Sequence, residues 1–445
     1  MTAGQSVFHS DFQEKPYWWE LAEPTAGELV DLPKRTTVAI VGSGYAGLSA
    51  GLELARNGTD VTVIEANEFG SGASTRNGGA VSGGISLGKG LTGSGRRKVN
   101  EERTNLITSM LGDGFASFEM IETIIEREKI DCSYQRSGRF VGAFAPKHYE
   151  SMAKRVEQLN EHADAGARML TRDAQREEIA SDYYHGGMLL ERSGKLHPAL
   201  YHKGLLEAAR RAGVRLCSRA QAGIIEGQAG NFTLKTSRGD IKAEQIIIAT
   251  NGYTGNLTPQ LKRRLMPVAS HIIATEELPE DLAKSLMPNG RTIADTPRIL
   301  CYYRMSPDGK RVIFGGRAKF TQVSPRVSAP ILHSFMTDRF PQLKGIKVTH
   351  AWTGNVAFAF DFLPHMGQEE GKHYCLACNG SGVAMMTYLG YQTARKILGG
   401  SNQKQCAFDG RDFPTVPFYS GKPWFLPIVG NYYRFRDKVD RMLMN

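Results

Sequence analysis

Gly42, Gly44 and Gly47 stand at the spacing of a dinucleotide cradle, and Glu65 follows about twenty residues on, where a ribose-binding carboxylate belongs. The glycines end an apolar run, Thr37-Val38-Ala39-Ile40-Val41, and open a helical one, Leu48 to Asn57. A second apolar run, Val61 to Ile64, ends at Glu65, with Ala66 beside it. Each residue type has a physical task. Gly42 permits the tight turn. Gly44 lets the backbone approach a pyrophosphate closely. Gly47 lets helix and strand pack without an intervening Cβ. Ser43, Tyr45 and Ala46 complete the loop, and the helix N-terminus offers N–H groups to the phosphates. By itself the loop suits a nicotinamide or a flavin dinucleotide.

Two more segments are built for anions. The run Gly72-Ala73-Ser74-Thr75-Arg76-Asn77-Gly78-Gly79 is too rich in small residues for a helix and too polar for core. It predicts a second backbone cradle, under a pyrophosphate and along the face of a flavin ring, with Arg76 offsetting charge. Asn379-Gly380-Ser381-Gly382-Val383 precedes a helical stretch from Ala384 to Ile397, again a glycine turn aimed into a helix N-terminus. Ala249, Thr250 and Gly252 close a buried strand, Gln245 to Thr250, and join the expected cofactor contacts. One glycine motif alone follows a proper strand. Gly88 to Gly95 has no strand before it, so a separate NAD(P)H domain is not expected.

These loops need elements to hold them. Residues 36–66 read as a βαβ unit, 99–130 as a helix, 138–146 as a strand and 147–163 as helical. His197-Pro198 opens a helix, Ala199 to Ala212. Residues 214–250 alternate like a β-meander, 265–320 hold several strands, and 348–398 return to the nucleotide-binding part. The fold class is α/β: a Rossmann-type dinucleotide domain interleaved with a smaller mixed-sheet substrate domain. Phe413 to Tyr433, rich in aromatics and proline, reads as a packed extension.

Further motifs are Tyr17-Trp18-Trp19, Gly194-Lys195-Leu196-His197-Pro198, Tyr302-Tyr303-Arg304, Phe314-Gly315-Gly316 and Asp361-Phe362-Leu363-Pro364. With the glycine segments they make the chain resemble the flavin amine oxidase family typified by glycine oxidase, D-amino-acid oxidase and monomeric sarcosine oxidase. Within it the likeness runs to the gamma-glutamylputrescine oxidase branch. The resemblance spans about residues 15 to 400. It implies FAD, in a glutathione-reductase-like domain that the chain leaves and re-enters. The implied boundaries are 1–35 as an N-terminal extension, 36–130, 191–260 and 346–400 as the FAD-binding part, 131–190 and 261–345 as the substrate part, and 401–445 as a C-terminal extension. The implied chemistry is amine oxidation. Hydride passes from the carbon beside nitrogen to flavin N5, and the imine hydrolyses to an aldehyde or keto product plus an amine or ammonia. Oxygen then reoxidises the flavin, giving hydrogen peroxide. A dehydrogenase of N-methylated amino acids, passing electrons to a carrier or quinone, is the alternative; a catalytically silent flavoprotein subunit is the second.

The chain departs from that family where substrate is held. Members acting on free α-amino acids carry an arginine after a Trp-x-Gly. Here the matching stretch, Trp352 to Asp361, has none. A longer or N-substituted amine is therefore expected. The stretch also lacks the cysteine through which sarcosine oxidase attaches its flavin, so FAD is expected to be noncovalent. The oxygen-activating lysine of that enzyme has no counterpart near Val312-Ile313-Phe314. His197, His271, Arg304 and Trp352 are the candidate catalytic residues.

Composition sets outer bounds. The chain has 445 residues, a net charge of +10 and six cysteines. That length suits two joined domains. The basic groups Arg96-Arg97-Lys98 and Lys262-Arg263-Arg264 are too short for a nucleic-acid stripe. Cys375 and Cys378 form a lone CxxC inside an apolar strand, which reads as core; no metal site and no disulfide framework are expected. No apolar stretch approaches the ~20 residues that span a bilayer. Met1 to Glu20 lacks a secretory signal's apolar core, so a cytoplasmic enzyme with a small-molecule amine substrate is expected.

Overall fold

The computed structural model describes residues 6–82, 101–399 and 406–442; the Gly88–Gly95 segment and the Arg96-Arg97-Lys98 group lie outside them. The glycine motif sits on a sheet whose parallel strands run in the order Arg215–Cys217, Val61–Ile64, Arg35–Val41, Gly239–Ile248 and Lys372–Leu376. Strands Arg35–Val41 and Val61–Ile64 are largely buried, which is why they read as nearly unbroken apolar runs. Gly239–Ile248 is long enough to pair twice along one edge. Its first half meets Asn231–Thr236, which pairs with Ala222–Gln228 to make the meander. Its last residues meet Lys372–Leu376. Helices Tyr45–Arg56 and Gly382–Leu398 pack side by side, and Pro198–Arg211 and Glu101–Glu128 complete that layer around Leu48, Phe118, Tyr201 and Leu389.

A second, mixed sheet has nine strands. Their order is Phe8–Gln13, Val348–Ala359, Leu265–Thr275, Val312–Gly316, Cys301–Met305, Thr292–Asp295, Arg139–Gly142, Gly187–Leu190 and Ala167–Leu170. Helix Pro325–Arg339 covers it through Leu332 and Met336, against Tyr303 and Phe314. Arg339 and Asp295 form an ion pair at 2.5 Å inside this core, beside the Tyr184 hydroxyl.

Several sequence expectations need correction. Strand Val348–Ala359, expected in the nucleotide-binding part, lies in the nine-stranded sheet between Phe8–Gln13 and Leu265–Thr275. The N-terminal extension supplies that sheet's edge strand. Long-range pairing decides both, and a strand's own pattern does not name its partner. The helical stretch 147–163 is two helices, Pro146–Ala153 and Val156–Ala163, broken at Lys154 and Arg155. All six cysteines are buried and unpaired, and burial pushes the Cys375 thiol up to about 12. At the C-terminal end, Phe413 and Tyr419 are buried and a helix, Leu426–Met442, follows. No helix among the described residues is long and apolar enough to cross a membrane.

Candidate active site

The first loop is shaped by what its glycines leave out. Gly42 has φ +105°, and a Cβ there would stand 2.8 Å from the Ala249 carbonyl oxygen. A Cβ on Gly47 would stand 1.9 Å from the Gly42 oxygen. A Cβ on Gly44 would meet one atom, the Ser74 Oγ side-chain tip, in a tight contact of 3.1 Å. Gly44 is also the N-cap of helix Tyr45–Arg56, so no cap side chain competes for the first-turn N–H groups. Glu65 Oε2 accepts from Ser43 N (3.1 Å) and Ser43 Oγ (2.7 Å), and Oε1 from Asn67 N (3.1 Å). The carboxylate is thereby fixed beside the loop at the carboxyl ends of two parallel strands, where ligands of open α/β sheets bind. His202 Nε2, a residue that sequence reasoning missed, lies 2.8 Å from the Ser43 carbonyl.

The second loop is self-bonded. Asn77 Nδ2 donates to the carbonyls of Ser74 (2.9 Å) and Ala73 (3.2 Å), and its Oδ1 accepts from Gly79 N (2.8 Å). Ser74 Oγ accepts from Tyr45 N at 3.2 Å, joining the two cradles. Arg76 Nε donates to the Ser71 carbonyl (2.9 Å), and its guanidinium lies 4.6 Å over the Trp19 ring. Burial lowers the Arg76 pKa.

Three buried donors hold this loop from behind. Trp352 Nε1 donates to the Arg76 carbonyl (2.8 Å), Trp18 Nε1 to the Asn77 carbonyl (2.8 Å), and Arg304 to the Gly79 carbonyl (3.3 Å). Trp18 is their hub. Its ring lies 6.5 Å from Trp352, 4.9 Å from His197 and 5.6 Å from the Arg304 guanidinium. Residues distant in sequence thus converge on one buried aromatic. Arg304 also donates to the Leu196 (2.8 Å) and Met305 (3.0 Å) carbonyls, so backbone oxygens take the place of an acidic partner. Burial pulls its pKa down to about 9. His197 is 1% exposed, and its Nδ1 accepts from Leu200 N at 3.2 Å, capping its own helix. Burial, with Arg304 nearby, holds its pKa at about 4, so the ring is neutral at pH 7.

His271 is not brought to this cluster. Strand alternation sends Ser270 and Ile272 to the side of Tyr302 and Trp352, which pack against the cradle. His271 points to the other face, where its Nδ1 meets Thr353 Oγ1 at 2.8 Å. Its Nε2 has no hydrogen bond of good geometry, though it lies near the backbone of Lys319 and Thr321.

The third segment closes the site. Gly380 has φ +93° with open space where a Cβ would stand, and Ser381 caps helix Gly382–Leu398 without a side-chain bond to it. Ser381 Oγ lies 3.3 Å from Ser82 Oγ. Val383 and Ala249 are buried beside these turns, and the Gly252 carbonyl accepts from Asn355 Nδ2 at 3.4 Å. Strand residues Thr353 to Val356 are half-buried at the mouth. Arg76 donates to the Thr353 carbonyl (3.2 Å), and a Cβ on Gly354 would lie 3.3 Å from the Arg76 Cβ. No cluster of three metal-ligating side chains occurs among the described residues. Two helix N-termini opened by glycine turns, a fixed carboxylate beside the first, and open space at Gly380 fit a dinucleotide.

Comparison with known proteins agrees. Residues 37–396 match the family model "DAO: FAD dependent oxidoreductase". The chain is 31% identical over 407 residues to gamma-glutamylputrescine oxidoreductase of Escherichia coli (strain K12), covering 90% of this chain and 93% of that protein. It is 31% identical over 446 residues to the probable oxidoreductase OrdL of Rhizobium meliloti (strain 1021), covering 95% and 97%. Among solved structures, glycine oxidase from Geobacillus kaustophilus superposes with a TM-score of 0.68 at 20% identity, over 86% of this chain and 99% of that one. L-Proline dehydrogenase from P. horikoshii gives 0.69 at 16% identity, over 92% and 99%. The chain is an FAD-dependent oxidoreductase and belongs to the DAO family.

Proposed function

We propose that this protein oxidises an amine whose reacting carbon bears no carboxylate, of the gamma-glutamylputrescine kind or another N-substituted or long-chain amine. The observation that carries this reading is the strand at the mouth of the site. Val348–Ala359 passes directly beside Arg76 and carries Trp352, Gly354 and Val356 on that face, none of them a cation for a substrate carboxylate. The likeness to gamma-glutamylputrescine oxidoreductase supports it. Bound FAD supplies the hydride acceptor. The protein's share is binding and orientation. The three glycine turns hold the dinucleotide without a covalent link, and Trp18, Trp352 and Arg304 act as positioning residues for the 76–79 backbone. His197 stays neutral and keeps its helix start in place.

The test is anaerobic mixing of the FAD-loaded protein with gamma-glutamylputrescine, putrescine, spermidine, sarcosine, glycine and D-alanine, followed by air. Bleaching of the flavin by an acylated or long-chain amine, with peroxide on aeration, is expected. Bleaching by glycine or D-alanine instead overturns the carboxylate argument. A second reading, a dehydrogenase using a carrier or quinone, is favoured by strand Val312–Gly316, which is wholly buried and carries no lysine. Slow recolouring in air with fast recolouring by a quinone would assign it.

A further inference from the structure

Helix Leu426–Met442 is amphipathic in an unusual sense: its outward face is also apolar. Leu426 and Gly430 turn inward, and the latter packs on Phe320 so closely that a Cβ would fall 2.7 Å from the ring. On the opposite side Ile428, Tyr432, Phe435 and Met442 are 66%, 53%, 63% and 61% exposed, and Trp424 just before the helix is 66% exposed. Steps of four, three and seven residues keep the helical side chains, Ile428 to Met442, on one stripe about 21 Å long. A solvated helix shows polar residues there.

Charge identifies the occupant. Arg436 and Lys438 are exposed and, at 100° per residue, flank the stripe on either side. The helix's two acids are turned away. Asp437 pairs with Arg298 at 3.2 Å, and Asp440 with Arg298 at 2.6 Å and Lys147 at 2.5 Å. The stripe is therefore apolar and aromatic at its centre and basic at its edges. A second copy of the chain would bring the same basic edges together with no acid on this face to meet them. An anionic lipid surface complements both parts: headgroups meet the cations, and Trp, Tyr and Phe sit at the boundary with the acyl chains.

We propose that this helix docks the protein, without spanning, onto an anionic phospholipid surface. The experiment sediments the FAD-loaded protein with vesicles of phosphatidylglycerol and phosphatidylcholine, and with phosphatidylcholine alone, at low and high salt. Its readout needs no substrate, so it is independent of the amine reading. Binding to the anionic vesicles, weakened by salt, is expected. Phe435→Asp, and separately Arg436→Glu with Lys438→Glu, should each lower partition about tenfold or more. Retained flavin absorbance and circular dichroism show that these variants fold. Equal behaviour with and without anionic lipid overturns the proposal, as does binding that the variants leave unchanged. A dimer in solution that Phe435→Asp dissociates, or an acidic protein competing for the same residues without lipid binding, overturns it as well.

Discussion

Gly44 and Gly47 omit a side chain for different reasons, and substitution separates them. A side chain at Gly44 meets one movable atom, Ser74 Oγ, so Gly44→Val costs the fold little while filling the room a pyrophosphate needs. The purified variant is expected to keep its circular dichroism and thermal midpoint and to lose its visible flavin absorbance. Gly47→Ala instead drives a methyl into the Gly42 carbonyl and breaks the turn, costing about 3 kcal/mol or more in thermal or denaturant unfolding. His197 carries a pH dependence. Its pKa is about 4 in the folded protein against 6.5 for a solvated histidine, so between these values the unfolded chain binds more protons. Its contribution is full above pH 6.5 and is lost as pH falls towards 4. His197→Asn replaces the ring-nitrogen acceptor at the helix N-terminus with an amide oxygen and removes that titration. The fall in thermal midpoint from pH 6.5 to 4 should be smaller in the variant. At this scale the glycine cradle was legible, because turn geometry restricts which residue fits. The supports behind it were not. Nothing local marks Trp18 or His202 as bonding to the Asn77 and Ser43 carbonyls, since those contacts cross 59 and 159 positions.

Helices Tyr45–Arg56 and Gly382–Leu398 each open from a glycine turn and pack on one another, and their spacing depends on Gly390. A Cβ there would lie 2.1 Å from the Ala46 oxygen. Gly390→Leu is expected to part the helices, lower the thermal midpoint and weaken FAD retention together, whereas Gly44→Val affects retention alone. Parallel measurement of midpoint and flavin content distinguishes the two. Both helices and the strands feeding them were readable from apolar period. Residues 348–359 were assigned to the nucleotide-binding part, and the structure places them as strand Val348–Ala359 in the nine-stranded sheet. Its neighbour Leu265–Thr275 is about eighty residues earlier, and alternation reports exposure rather than partner. His271 shows the same limit from the other side. Its period-two phase relative to Ser270 decides which face it serves, and the structure was needed to set that phase.

Across the whole molecule, the C-terminal helix seals one end of the nine-stranded sheet. Met266, Val268, Phe320 and Phe358 cluster with Tyr419 and Leu426, and Tyr419 donates its hydroxyl to the Leu265 carbonyl at 2.7 Å. Deleting residues 426–442 uncovers part of this cluster and frees Arg298 from both aspartates. The truncated protein should unfold at lower temperature and scatter light at concentrations where the full chain is clear, while its flavin content persists, because the cradle bonds described above are made by other elements. Loss of flavin before loss of fold would show the helix supporting the cradle instead. The aromatic composition of this segment indicated packing; that Ile428, Tyr432, Phe435 and Met442 face outward depends on the tertiary contact alone.

The parallel pairing of Phe8 with Val348 places the first strand of the nine-stranded sheet 340 positions before its partner. On a ribosome adding about 5–20 residues per second, that strand waits roughly 20–70 s before its neighbour exists. Its Phe8 and Phe12 rings, 4.5 Å apart in the finished protein, are apolar throughout that interval. The nascent chain therefore carries this strand unpaired until Val348 has been added. Its yield in a cell should depend on holding factors and on translation speed more steeply than its finished stability would indicate.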